Sequence, residues 1–271
     1  MPKYKMSLRR KLVIASWTRP TEGNIFGKLL LETTNVERYI EHLRETTDKK
    51  ITISHVVGKA AAMALAQAPG LNGRILLGRY IPHETVDITY LVAIEEGGNL
   101  AKAKVDNTDQ KSLVEICDEL GAMAERLRSG KDENFKKSMG PLEALPSWLI
   151  RPILWLTGWL TSSLGVEMKM FGLERFPFGS CVVTNVGMFG LDEGYAPQTP
   201  FARVPIWVLV GGIKKQPVVV DDEIVIRPML PVMATIDHRF MDGYQAGVMA
   251  RVMREMFEEP WKLDGLDAPP W

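Results

Sequence analysis

The segment Thr235-Ile236-Asp237-His238-Arg239-Phe240-Met241-Asp242-Gly243 restricts this chain more than any other. It follows an apolar, strand-like run and precedes a helix-like one, so an extended strand must give way to a helix across one short turn. Among side chains, only imidazole titrates near neutrality without help, and a histidine at the end of a strand can take a proton from a thiol or a hydroxyl. Asp242 is suited to cap the helix that follows or to pair with an arginine, and Gly243 to let the backbone bend or another group come close. On its own His-x-x-x-Asp-Gly is short, and by itself it reads more readily as a turn histidine with no chemistry.

Motifs upstream, in a fixed order, add to that reading. They are Thr184-Asn185-Val186-Gly187-Met188-Phe189-Gly190, then Val208-Leu209-Val210-Gly211, then the strand-turn-strand text from Pro217 to Met229. With Asp237, His238, Arg239, Asp242 and Gly243 they resemble the catalytic domain of the dihydrolipoamide acyltransferases, the core components of 2-oxoacid dehydrogenase complexes and relatives of chloramphenicol acetyltransferase. The family's Ser-Asn-x-Gly-Met-Phe-Gly differs here in one respect, Thr184 standing where the family has serine.

The resemblance implies an α/β fold of the chloramphenicol acetyltransferase type, a mixed β-sheet with helices packed on its faces, formed by residues 1–271 as a single domain. It implies an acyltransferase in which His238 is the general base, the Thr184 hydroxyl faces the developing oxyanion, and Asp242 supports the turn. Gly243 and Asn185 are supporting residues, and Arg9 or Arg10 pairs with Asp242 unless the basic terminus is simply solvated. Coenzyme A is expected as the acyl-bearing substrate, and a lipoyl group only if a partner protein brings it; no metal is implied. Family members form trimers with the active site between subunits, so a homotrimer or a larger assembly of trimers is expected. No lipoyl domain or subunit-binding segment is read ahead of the motifs, so a free-standing domain is expected. A catalytically silent scaffold is the alternative, and the intact imidazole argues against it.

Composition excludes other classes. Lys plus Arg and Asp plus Glu are 33 each, so no whole-chain field attracts nucleic acid, and 46% hydrophobic with 24% charged residues suits a globular chain. Two cysteines, Cys117 and Cys181, are too few for a disulfide framework, and the first residues lack an apolar signal core, which makes the cytoplasm the expected compartment.

Along the chain, Ile25 to Thr33 reads as a strand and Asn35 as the cap of a helix from Val36 to about Glu45. Thr52 to Ala68 reads as a buried helix with His55 capping or packing at its start. Val86 to Ile94 and Leu100 to Val105 read as strands, the second carrying Lys102 and Lys104, which either reach coenzyme phosphates or face solvent. Leu113 to Leu127 is an amphipathic helix. In Ser180 to Val186, strict alternation sets Cys181 opposite to Thr184, which weakens a reading of the cysteine as nucleophile. Residues 191–205 depart from the family text.

Residues 139–179 form an insertion of roughly forty residues where about ten would serve as a connection. Its centre, Trp148 to Leu160, puts Trp148, Trp155 and Trp159 on one helical face. Thirteen helical residues cover about 20 Å against a hydrocarbon core of about 30 Å. Packing on the same or a neighbouring subunit is therefore expected, with membrane contact through 146–165 as second choice.

Overall fold

The structure, a computed structural model, describes residues 23–68, 70–94, 99–143 and 145–271. Its frame is a seven-stranded mixed sheet built on β1 (Asn24–Glu32), β4 (Ile88–Ile94), β5 (Asn99–Val105), β6 (Cys181–Asn185), β7 (Ile206–Val210), β8 (Lys214–Val220) and β9 (Glu223–Asp237). The order is β1-β9-β7-β6-β4-β5, with β8 attached to β9. β6 runs parallel to β4 and to β7, and every other pairing in this sheet is antiparallel. Gly73–Leu76 (β2) and Arg79–Pro82 (β3) form a separate hairpin.

β9 does two jobs along its length. Its second half lies between β1 and β7 and ends at Asp237, while its first half pairs with β8 as an arm whose Val219, Ile224 and Ile226 are exposed. β6 and β7 read as near-continuous apolar runs because the central strands are covered on both faces. Cys181, Val183, Ile206, Val208 and Val210 join the larger core, and Val182, Trp207, Leu209 and Met233 the smaller one on the opposite face. The alternation anticipated for Cys181 and Thr184 is thus the one observed.

The larger core is closed by α1 (Thr34–Thr47), α2 (Ile53–Gln67), α3 (Leu113–Arg128) and α6 (Gly243–Glu258), all on one face. α2 lies close because its apolar stripe is mostly alanine and because Gly58 makes room for Tyr90, whose Oη would stand 2.0 Å from a Cβ added there. His55 caps this helix: its Nδ1 accepts the Thr52 N–H at 2.9 Å. The cap of α1 is Thr33 rather than Asn35, since Thr33 is buried and its hydroxyl is held by Glu37 and the Pro228 carbonyl.

The opposite face of the sheet carries no long helix of this set. Ala196, Ala202 and Val204, from the stretch ahead of β7, cover it with Phe178. Beside them the expected insertion folds into α4 (Glu133–Glu143), α5 (Ser147–Gly158) and a π-helical turn, Trp159–Ser163. α5 is fixed by Ile150, Leu154 and Gly158, where a Cβ would meet the Phe201 carbonyl oxygen at 2.4 Å. The tryptophan stripe forms as the spacing indicates but points outward: Trp148 is 73% and Trp155 62% exposed, and Trp159 is half-buried. Among the described residues nothing covers Trp148 and Trp155, so the packing of this pair on its own subunit that the spacing allowed is not what these residues show. No helix among the described residues is long and apolar enough to cross a membrane.

Candidate active site

His238 sits on the turn that joins β9 to α6, its side chain exposed at the end of the sheet. Its backbone N–H donates to the Gly23 carbonyl at 3.1 Å. Its Nδ1 lies 2.7 Å from the Met241 carbonyl oxygen, an acceptor with no proton of its own, so Nδ1 carries the hydrogen and donates it. That bond fixes the tautomer and leaves the Nε2 lone pair directed away from the turn, which is the arrangement a general base requires.

The flanking acids have structural parts. Asp237, buried at the end of β9, accepts Arg239 N–H at 3.0 Å and is held by the same residue's guanidinium, Nη2 to Oδ2 at 2.5 Å. Asp242 is the N-cap of α6: its Oδ1 accepts the Tyr244 N–H at 2.9 Å, and Gln245 Oε1 accepts the Asp242 N–H at 3.0 Å. This reciprocal box anchors the residue next to Met241, whose carbonyl orients the imidazole. Gly243 has no left-handed φ and its missing Cβ would point into open space, so neither a bend nor a close contact within the described chain requires glycine there. Arg9 and Arg10 lie outside the described residues.

Thr184 is half-buried near the far end of β6, and Asn185 beside it ties that end to the helix layer. Asn185 Nδ2 donates to Ser54 Oγ at 2.9 Å, and its Oδ1 accepts the Met188 N–H at 3.4 Å. Strand register then decides the geometry. Thr184 faces Leu209 on β7, and Leu209 faces Met233 on β9, whereas His238 comes five residues after Met233. Five extended residues and two strand spacings separate the two positions by roughly 19 Å within one chain. A single copy does not bring the imidazole and the Thr184 hydroxyl together.

Both lysines of β5 are engaged by carboxylates. Lys102 Nζ donates to Glu174 Oε2 at 3.2 Å and to the Pro177 carbonyl at 3.0 Å, and Lys104 lies 2.8 Å from Asp106 and 3.7 Å from Asp87. Their placement adds no support to a phosphate role. No cluster of metal-ligating side chains occurs among the described residues. Sequence reasoning missed the Met241 carbonyl, a backbone group without a residue-type signal. It also missed the Asp237–Arg239 pair, for which the i, i+2 spacing of opposite charges was a usable sign.

Comparison with known proteins places this geometry in a group. The family model described as 2-oxoacid dehydrogenases acyltransferase (catalytic domain) matches residues 28–136 and 169–264, so the break in the match contains α5. The mitochondrial dihydrolipoyllysine-residue succinyltransferase component of the 2-oxoglutarate dehydrogenase complex of Saccharomyces cerevisiae is 26% identical over 227 residues, 83% of this chain and 39% of that protein. The chain thus spans about two fifths of that relative's length. Among solved structures, a probable dihydrolipoamide acetyltransferase from Listeria monocytogenes superposes with a TM-score of 0.71 at 20% identity, covering 100% of this chain and 99% of that one. A chloramphenicol acetyltransferase superposes with a TM-score of 0.50 at 10% identity, covering 93% and 96%. These likenesses show a chloramphenicol acetyltransferase-like fold.

Proposed function

This chain belongs to the family of 2-oxoacid dehydrogenase acyltransferase catalytic domains, and from that premise we propose that it moves an acyl group between coenzyme A and a thiol or hydroxyl acceptor. Dihydrolipoamide is the acceptor this reading favours. The observation that carries it is the Nδ1 bond from His238 to Met241 O, which presents Nε2 as a proton acceptor on an exposed imidazole.

The chemistry follows from that group. A thiol is a weak nucleophile until its proton leaves, so His238 Nε2 takes the proton as sulfur attacks the acyl carbonyl carbon. The carbon–oxygen double bond becomes a single bond, and the oxygen gains a negative charge that a hydroxyl donor such as Thr184 stabilises by about 3 kcal/mol. As the carbonyl reforms, the carbon–sulfur bond to coenzyme A breaks and the leaving thiolate takes the proton back from Nε2. During the charged stage the Nδ1–H bond to Met241 O becomes charge-assisted and holds the imidazolium.

Because about 19 Å separates Thr184 from His238 in one chain, the site is shared: the imidazole of one copy works with the hydroxyl of another. The apolar arm of β8 and β9, with Val219, Ile224 and Ile226 exposed, supports association of this kind, and a homotrimer is the assembly we assign. A panel of acyl-coenzyme A thioesters with dihydrolipoamide as acceptor tests the reading. Turnover that falls at least roughly a hundredfold in His238→Ala is expected. Absence of turnover by the unmodified protein on every thioester overturns it in favour of a scaffold.

A further inference from the structure

α5 is apolar on two faces, and the chain covers one of them. The inner face, Ile150, Leu154 and Gly158, is closed by Leu142 and Phe201. The outer face carries Trp148, Pro152, Trp155 and Leu156, all exposed, and runs on to the half-buried Trp159. These positions recur at the spacing of one helical stripe, and a helix that is apolar on every side is ordinarily enclosed on every side. The outer stripe therefore calls for a partner. Leu164 and Val166, also exposed, enlarge it, because their backbone N–H groups bond to the Trp159 and Leu160 carbonyls and fold them back onto the end of the stripe.

Charge, area and length together identify that partner. From Ala144 to Val166 the one ionisable side chain is Arg151, and the carboxylates that bound the run are Glu143 and Glu167, the second 3.5 Å from the exposed Lys169. Acids and bases are 33 each in the whole chain, so a run of this length without a carboxylate is a local departure, and it holds nothing that repels an anionic surface. Trp148, Trp155 and Leu156 together present roughly 400 Å² of apolar surface, half of the roughly 800 Å² per partner that a stable protein interface buries. They do so on the convex side of a helix, not in a groove.

α5 has 12 residues, and the about 18 Å they cover is too short for a hydrocarbon core of about 30 Å. Ile150, Leu154 and Gly158 hold it along its length to the rest of the chain, so it meets any surface side-on. Tryptophan, with an apolar ring and one polar N–H, settles where acyl chains give way to headgroups.

We propose that the outer face of α5 docks on an anionic phospholipid bilayer, the helix lying in the plane of the interface with Trp148 and Trp155 at the boundary between headgroups and acyl chains. An arginine on such a face is no obstacle, because its long stem keeps the charge at headgroup level. The family match breaks across this helix, so the surface is an addition to the acyltransferase frame, and the proposal stands apart from acyl transfer.

Flotation of the full-length protein with vesicles, through a density gradient, tests it. The protein is expected to float with vesicles of mixed phosphatidylcholine and phosphatidylglycerol, and about fivefold less with phosphatidylcholine alone. Trp148→Ser combined with Trp155→Ser changes two exposed side chains, so Tm should hold while the floating fraction falls about tenfold or more. Light scattering without vesicles should give the same mass for both proteins. Protein that floats with neither vesicle, or a double variant that floats as well as the unmodified protein, overturns the proposal. Equal flotation with both vesicles overturns the choice of an anionic surface. A lower mass for the double variant, without flotation of the unmodified protein, assigns the face to a second copy of the chain and overturns the proposal as well.

Discussion

Replacing Asp242 by alanine separates a positioning role from a chemical one. The substitution removes the bond from Tyr244 N–H to Oδ1 and releases Gln245 from the reciprocal box, at a cost of about 1 kcal/mol for a lost N-cap. In a chain of this size that corresponds to a fall in Tm of about 3 °C. The same loss frees Met241, whose carbonyl holds His238 Nδ1 at 2.7 Å. In the transition state that bond is charge-assisted, and loosening it forfeits about 1–2 kcal/mol, roughly tenfold in rate. Asp242→Ala is therefore expected to lower kcat about tenfold with KM little changed, measured by acyl exchange beside thermal unfolding. Asparagine caps a helix as well as aspartate, so Asp242→Asn should keep both stability and rate. If Asp242→Asn keeps its Tm but turns over as slowly as Asp242→Ala, the carboxylate charge rather than the cap is what matters, and the positioning argument is refuted.

Two further outcomes concern stability. Burial chiefly holds both His55 and His83 at about 4, below the ordinary histidine value near 6.5, so the unfolded chain binds more protons than the folded one between those limits. Stability is then full above pH 6.5 and falls as pH drops towards 4, each histidine contributing up to about 1.4 kcal/mol per pH unit. His55→Gln retains a side chain able to close the capping box and should flatten the acid limb of the urea midpoint; an unchanged limb would exclude His55 as a source. In the insertion, Ile150→Ala should cost roughly 3 kcal/mol because the side chain is fully buried, whereas Trp155→Ala should stay within about 0.5 kcal/mol in the dissociated chain. A large loss for Trp155→Ala in the dissociated protein would contradict the outward orientation of the stripe.

What the sequence disclosed and what it concealed divide along physical lines. Local geometry was legible: the alternation through Cys181, Val182 and Val183, the histidine cap of α2, and the passage from β9 through His238 into α6 all follow from neighbours in the chain. Family motifs supplied the fold, because several short texts in order are specific where each alone is not. The direction of α5 was not legible. Its tryptophans share one face, but Ile150, Leu154 and Gly158 form a second stripe of similar character, and only contact with Phe201 decides which is buried. Nor does spacing place Thr184 and His238 at opposite ends of one subunit, since that depends on β7 lying between β6 and β9.

The central claim is that one copy supplies His238 and another the Thr184 hydroxyl. Co-expression of His238→Ala with Thr184→Val under two different tags, with isolation of mixed particles through both tags in turn, tests it directly. Each variant alone is expected to be nearly inactive, because every site in it lacks either the base or the hydroxyl donor. In a trimer that holds both variants, one of the three shared sites combines an intact imidazole with an intact hydroxyl, so about a third of the unmodified rate should return. Mixed particles with no activity above that of the separate variants would contradict a site shared between copies.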